Sequence, residues 1–507
     1  MDIPTFKKRL QQDYDLVSLT DIGTLLDSDR SIYNFLRSVN KEKFNNTERI
    51  VLYSSYHPSD LVLGKIAGAT RENDIPNYFV LICTPYQLAE KLKVVSSKLS
   101  INDVPITVRQ FDIEKTHPLS DKNLIDFDTF CPAPFNAAYI DIKNVALPCC
   151  KIKLTEFEND PGCDLTKNNL STVSNSKSFS DLRQLFKDNV KSKACQECWS
   201  VENGGGYSER KHQITVMDKN QWDPYDITVK RLQIVPCITC NFKCRICDSD
   251  FSSAIAGEEI RFTSDTQHKE KLLSKLKNHT LIDVEFYKNI LRESLSDITY
   301  LQVLGGEPTL MKNLPELLDY IVAQGHNQHI DLVVNTNCST WSEQLVNSIK
   351  QFKTVTVTLS VDSTGERFET ERGGSWPGVL ATIDKWLLIQ SPNIRLSITT
   401  TISIQNVLYL DEVIDFANSK NLDIGWNYVD DPSELCIDNL TTAAKELVYN
   451  RFHNHKNIEL RNVAKRVAST AETSGSGFIN LMDKYDLRRG TDFRASHMEI
   501  YTAMLAK

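Results

Sequence analysis

The 507-residue chain has no apolar run of 18 or more residues, which leaves no candidate membrane span. Its first residues, MDIPTFKKRLQQDYD, lack the apolar core of a secretory signal. It has no excess of positive charge. The formal net charge is -8, which removes any general pull toward nucleic acid. Neither a GxGxxG nor a GxxxxGK[ST] phosphate loop occurs. Apolar residues make up 41% and charged residues 24%, an ordinary globular balance. Length alone allows about three domains.

Cysteine is abundant instead. There are thirteen, and ten fall between 131 and 247. Disulfides are rare in a large chain with no export signal, so short cysteine spacings point to metal thiolates in a reducing, cytoplasmic setting.

Four regions are expected. Residues 1–120 read as an α/β accessory domain, with strands at 49–55, 77–83 and 105–111, helices at 58–68 and 85–99, and further helices at 3–14 and 29–38. Residues 121–215 are cysteine-rich and loop-rich, with one helix near 179–188; a metal often stabilises such a segment. From 225 to 430 the chain repeats strand-then-helix six times. The strands are 231–236, 299–304, 330–335, 353–361, 394–402 and 422–428, and the helices include 265–276, 311–323, 341–350, 376–389 and 406–419. Parallel strands with right-handed crossovers account for this, as an open, partial (β/α)6 barrel rather than a closed eight-stranded one. Residues 431–507 read as helices at 438–451, 456–470 and 476–486.

The loop after the first barrel strand reads RLQIVPCITCNFKCRICDSD and holds Cys240, Cys244 and Cys247. Three close thiolates can hold three irons of a cube and leave the fourth open to a small molecule. Cys237 could complete a four-ligand zinc site, so the loop by itself admits both metals. Downstream, Gly305-Gly306-Glu307-Pro308 ends a strand. Its glycines permit close backbone approach to a ligand and its carboxylate can accept from an ammonium group.

Together Cys240-x3-Cys244-x2-Cys247, its place after the first strand, and Gly305-Gly306-Glu307-Pro308 resemble the radical S-adenosylmethionine superfamily. The string CNFKCRIC is similar to the CNxKCRxC form of members that carry an auxiliary-cluster domain. The resemblance implies a 4Fe–4S cluster on Cys240, Cys244 and Cys247, and S-adenosylmethionine bound near Phe242, Gly305, Gly306, Glu307 and Pro308. Asn337 and Ser360 are expected at its ribose or carboxylate, or at the substrate, with Asn335 and Asp362 as weaker strand-end candidates. Thr399 and Thr401 share one strand face and suit barrel interior or ligand contact equally. Cys338 is either a substrate-facing thiol or a buried one.

Upstream, CPAPFNAAYIDIKNVALPCCK and ACQECWSVENGGGYSER supply Cys131, Cys149, Cys195 and Cys198, enough for a zinc or a saturated second cluster. Adjacent Cys149 and Cys150 point apart in extended chain, and Cys149 is the expected ligand, with Cys163 a substitute. These pieces resemble a twitch domain, the short form of the SPASM auxiliary-cluster domain, placed here before the barrel instead of after it. LMDKYDLRRGTDF resembles the closing D-x-x-R-x-x-x-F segment through Asp486, Arg489 and Phe493, with a structural role expected.

The resemblance covers roughly 125–500. It implies reductive cleavage of S-adenosylmethionine to methionine and a 5'-deoxyadenosyl radical. The radical would take hydrogen from a peptide or protein, or else from a sugar, nucleotide or amino-acid metabolite. A flavodoxin- or ferredoxin-like protein would supply the electron. The auxiliary cluster would relay electrons or serve structure. A non-catalytic protein with two cysteine metal sites is the reading of a different class.

Overall fold

The computed structural model describes residues 129–506, except 153–154, 204–205, 221, 224–225 and 471–472, together with two upstream strands. The chain divides into two compact units: Met1–Asp126 with Asp218–Asp223, and Phe127–Met217 with Pro224–Lys507. In the first unit β1 (Leu16–Asp21) runs parallel to β2 (Arg49–Tyr53). Strand β2 is the one expected at 49–55 and β1 was not expected; the other strands and helices expected within 1–120 lie outside the described residues.

The second unit is built on one eight-stranded sheet. It contains β3 (Ala137–Ile140), β4 (Ala146–Leu147), β5 (Arg231–Ile234), β6 (Tyr300–Val303), β7 (Asp331–Thr336), β8 (Thr354–Ser360), β9 (Ile394–Ile402) and β10 (Asp423–Tyr428). Their order is β10-β9-β8-β7-β6-β5-β3-β4. All six expected strands are present, in sequence order and mutually parallel. Strand β3 adds a further parallel neighbour to β5, and β4 turns back antiparallel at the edge. The cysteine-rich segment thus extends the sheet. Its hairpin is set by Asp141, whose Oδ1 accepts from Lys143 N at 2.9 Å and Val145 N at 2.7 Å, with Asn144 left-handed at φ 63°.

Buried parallel strands usually read apolar on both faces. Here β8 and β9 alternate. Val355, Val357 and Leu359, with Leu396, Ile398 and Ile402, are buried. Thr354, Thr356, Thr358 and Ser360, with Ser397, Thr399 and Thr401, take the other face and are half-buried. The helices between strands bury apolar stripes such as Leu317, Leu318 and Ile321, or Val379, Ile383 and Trp386. The hydroxyl face continues sideways as amides: Gln233 Nε2 donates to Gln302 at 2.7 Å, and Gln302 Nε2 to Asn335 at 2.9 Å.

Beyond β10 the chain is helical, as expected: Thr442–Phe452, Ile458–Ser469, Ser476–Arg489 and Met498–Leu505. Phe452, Leu460, Val463, Phe478, Phe493 and Met504 join Ile402, Ile404, Val407 and Tyr428 in one apolar cluster, which fixes these helices to the C-terminal end of β9 and β10. No helix among the described residues is long and apolar enough to cross a membrane.

Candidate functional site

Strand β5 delivers the chain into the cysteine loop, and the helix Ser253–Phe262 takes it out. The entry and exit are stitched together. Ser253 Oγ accepts from Cys240 N at 3.1 Å and Ser252 Oγ donates to Phe242 O at 2.7 Å. Ser253 N donates to Ile238 O at 2.7 Å, and Cys247 N to Cys244 O at 3.1 Å. Cys240, Cys244 and Cys247 face one another. Burial pushes the Cys240 thiol up to about 12, and the neighbouring Cys244 adds to it. Burial likewise raises Cys247, with Cys244 and Cys240 contributing. Cys237 does not join them. It is fully buried beside Tyr287. Among the described residues no three His, Cys, Asp or Glu side chains converge to hold a single metal ion. A four-iron cube sets its thiolates at separate corners, further apart than around one ion.

The Gly305-Gly306-Glu307-Pro308 turn is pressed against this loop. Gly306 N donates to Cys237 O at 3.1 Å and Glu307 N to Thr239 O at 2.8 Å. A Cβ on Gly306 would lie 2.2 Å from Thr239 O, and one on Gly305, where φ is +102°, 2.6 Å from Cys237 O. The glycines therefore admit the backbone of the cysteine loop, where the sequence suggested a ligand. Pro308 is buried at the start of a short 3-10 turn. Glu307 is fully buried. Its Oε1 accepts from Thr309 N, Thr309 Oγ1 and Thr336 Oγ1, and its Oε2 from Asn337 N at 2.6 Å. Burial raises its pKa in spite of these bonds. A buried carboxylate ionised against that penalty suits a cationic partner.

Asn337 is buried, and its Nδ2 donates to Cys240 Sγ at 3.7 Å and to Asn241 Oδ1 at 3.3 Å. Ser360 lies half-buried at the C-terminal end of β8, level with Thr399 on β9. Asn335 faces the amide row instead, accepting from Gln302. Phe242 is buried, edge-on to Phe368 and against Gly374, where a Cβ would fall 2.0 Å from the ring. Cys338 is wholly buried with left-handed φ of 58°, which suits the buried alternative.

One central residue carried no signal in the sequence. Arg372 ends the helix Gly365–Arg372, pairs with Asp362 at 2.9 Å and places its positive charge beside Cys244. Asp362 also accepts from Thr401 N at 2.8 Å. The glycine pair Gly373-Gly374 that follows was the available clue. It ends that helix in a left-handed turn and brings it against Lys243 and Phe242.

The upstream cysteines also meet. Cys131, Cys149, Cys195 and Cys198 line one pocket with Lys151, Ile152, Glu209, Arg210 and Gln213. Burial raises Cys149 and Cys131, and each is raised further by other thiols of this set. Cys150 is exposed and does not line that pocket. Cys163 is buried against Ser176 Oγ at 3.4 Å. Arg210 covers the Trp199 ring at 4.8 Å and pairs with Glu202. Asp486 and Arg489 do not pair with each other; both reach the cysteine loop or its exit helix.

Residues 234–417 match the model of the Radical SAM superfamily. The uncharacterized protein MJ0907 of Methanocaldococcus jannaschii is 28% identical over 145 residues, 28% of this chain and 50% of that one. The chain therefore spans half the length of that curated relative. Among solved structures, native anSMEcpe with bound AdoMet is 17% identical over 44% of this chain and 59% of its own, at a TM-score of 0.32. Streptococcus suis SuiB bound to S-adenosylmethionine is 15% identical over 47% of each chain, at 0.31. A radical SAM domain implies a 4Fe–4S cluster and S-adenosylmethionine. The donors present fit that pair: three thiols, no fourth thiol facing them among the described residues, and a buried carboxylate held against their loop.

Proposed function

We propose that the chain is a radical S-adenosylmethionine enzyme whose substrate is a peptide or protein. The observation that carries this reading is the three-thiol loop, buttressed by Gly306 and Glu307 and without Cys237 as a fourth ligand. Cys240, Cys244 and Cys247 would hold the 4Fe–4S cluster, and Glu307 would accept from the amino group of S-adenosylmethionine. When bound, that pair supplies one-electron cleavage of the sulfonium and a 5'-deoxyadenosyl radical for hydrogen abstraction. The residues of the chain position and tune. Asn337 donates to the Cys240 sulfur, a contact of the kind that sets cluster potential. Arg372, anchored by Asp362, places positive charge beside Cys244. Ser360 stands at the rim of the hydroxyl face, where a ribose or substrate would lie.

The six strand–helix steps, read as a partial barrel, would present their hydroxyl and amide face to the substrate. Such a face offers donors and acceptors without fixed charge, which suits an extended main chain. A sugar, nucleotide or amino-acid metabolite is the second substrate class. In this reading Cys131, Cys149, Cys195 and Cys198 form a twitch-like auxiliary 4Fe–4S site that relays electrons, a flavodoxin- or ferredoxin-like donor reduces the enzyme, and the setting is cytoplasmic.

Anaerobic reconstitution should give about eight irons per chain, four for each cube. Dithionite with S-adenosylmethionine should yield 5'-deoxyadenosine. Replacing Cys240, Cys244 and Cys247 by alanine should leave about four irons and no cleavage. Cys149→Ala should cost the other four, while Cys150→Ala costs none. Bound zinc without labile sulfide, or cleavage by the triple variant, would rule the reading out. Label transfer from deuterated candidate peptides into 5'-deoxyadenosine tests the substrate class.

A further inference from the structure

The loop from Cys240 to Cys247 has almost no structure of its own, so something else must fix its last two cysteines. Between them sits Arg245, whose side chain is wholly shielded from solvent. A buried guanidinium is tolerated only when its donors are met. Its Nε donates to Thr370 O at 3.0 Å, and its Nη2 to Asp486 and to Thr491 Oγ1 at 2.9 Å. The Phe493 ring lies 5.3 Å from it. Asp486 is fully engaged. Its Oδ1 also accepts from Thr491 Oγ1 at 2.7 Å and its Oδ2 from Phe493 N at 2.8 Å. One helical turn on, Arg489 Nη1 donates to Lys243 O at 2.7 Å, and the rest of its guanidinium forks onto Glu258 at 2.9–3.2 Å. Glu258 belongs to the helix that leaves the cysteine loop. Thus the residues just before and just after Cys244 are both held by one short segment some 240 positions downstream.

The same segment grips a second element. His497 Nε2 meets Glu371 Oε1 at 2.8 Å, and Ser496 Oγ donates to Thr370 Oγ1 at 3.2 Å. Arg245 N donates to Glu371 O at 2.8 Å. These contacts close a triangle of cysteine loop, C-terminal segment and the helix that ends at Arg372. Arg372 is the cation beside Cys244, and Asp362 holds it at 2.9 Å.

We infer that residues 486–497 form a clasp that sets the positions of Cys244 and Cys247 and holds Arg372 against them. Asp486 and Arg489 are its positioning residues. The inference rests on the reading of Cys240, Cys244 and Cys247 as cluster ligands. It assigns to the D-x-x-R-x-x-x-F segment the integrity of a metal site far from it in sequence.

The test uses the full chain, reconstituted anaerobically, with iron counts, thermal unfolding, and electron paramagnetic resonance of the dithionite-reduced protein with and without S-adenosylmethionine. Asp486→Asn keeps shape and removes charge; Arg489→Gln breaks the fork. Each should lose about four of about eight irons and reduce the S-adenosylmethionine-dependent spectral change at least about fivefold, with the four-cysteine site still filled. Leu487→Ala, 88% exposed on the same helix, should behave as wild type. Should Asp486→Asn fail to fold, Arg489→Gln decides. Unchanged iron and spectra in the clasp variants overturn the inference, as does equal loss from both sites, which marks general destabilisation. A wild-type chain that takes up no iron–sulfur cluster overturns instead the ligand reading beneath it.

Discussion

Glu307→Gln separates two jobs that a buried carboxylate at this turn can have. The carboxylate has four donors: Thr309 N, Thr309 Oγ1 and Thr336 Oγ1 on Oε1, and Asn337 N on Oε2. The two hydroxyls can rotate to suit an amide. The two backbone N–H groups cannot, so either orientation of the glutamine leaves one of them facing an NH2. An orphaned buried donor costs about 1–3 kcal/mol. Against this, burial holds the Glu307 pKa above the usual carboxylate range, so the folded state already carries a cost for its charge, and the neutral amide relieves it. The net loss of stability should be below about 2 kcal/mol. Binding responds differently. A charge-assisted bond to an ammonium group is worth about 1.5–3 kcal/mol, so affinity for S-adenosylmethionine should fall about ten- to a hundredfold. Equilibrium dialysis on the reconstituted protein reads the second quantity and thermal unfolding the first. A variant that is markedly destabilised yet binds with wild-type affinity would make Glu307 a loop anchor and refute its role as the ammonium acceptor.

Gly306→Ala should be among the most disruptive single changes available, about 4 kcal/mol or more, because the new Cβ meets Thr239 O and C at 2.2 and 2.6 Å and neither can yield. Gly257→Ala, with nothing within 4 Å of the added carbon and a helical position, should raise the unfolding midpoint by up to about 1 kcal/mol equivalent; calorimetry that ranked the two alike would refute the close-packing argument. His212 gives a pH signature. Burial holds its pKa below the ordinary value, with Arg231 adding and Glu209 opposing. The unfolded chain therefore takes up a proton more readily, so stability is full above about pH 6.5 and declines as pH falls through that value toward the folded one. Thermal midpoints between about pH 7.5 and 5.5 should fall less steeply in His212→Gln than in wild type, and equal slopes would acquit this group.

The parts of the fold that were legible in the sequence are those set by local periodicity. The alternation in TVTVTLS and IRLSITTTI marks β8 and β9 almost to the residue. The order of the six strands followed from the intervening helices. Strands β3 and β4 escaped notice because they are four and two residues long and lie among turn-forming residues. At the site, Cys149 lines the upstream pocket and Cys150 does not, as adjacent residues of extended chain point apart. Gly306 shows the limit. A glycine declares that something comes close but not what, and here it is the backbone of Ile238 and Thr239. Arg245 stands out where members of the superfamily usually carry an aromatic, but its partner, and Arg372 altogether, stayed unread for a related reason. Their partners Asp486 and Asp362 are fixed by the fold, not by spacing.

Arg372 and Arg210 bear on the two cysteine sets together. As free thiols, Cys131, Cys149, Cys240 and Cys247 are held neutral, with burial the leading cause. A neutral thiol has no use for a buried cation. Yet Arg372 lies at Cys244 and Cys240, and Arg210 beside Cys131 and Cys198, each at the cost of desolvating a guanidinium. That expense is rational if the sulfurs work as thiolates, which together with the bridging sulfides of a cluster outweigh the charge of the irons and leave it anionic. The arrangement makes a directional claim. Replacing Arg210 by a neutral residue of similar volume, such as methionine, should weaken iron retention at the four-cysteine site more than it weakens the fold, since the packing over Trp199 is largely kept while the compensating charge is lost. If Arg210→Met retains its iron as wild type does, the guanidinium is there for Glu202 and Trp199 alone, and the electrostatic argument for paired thiolate sites fails at this one.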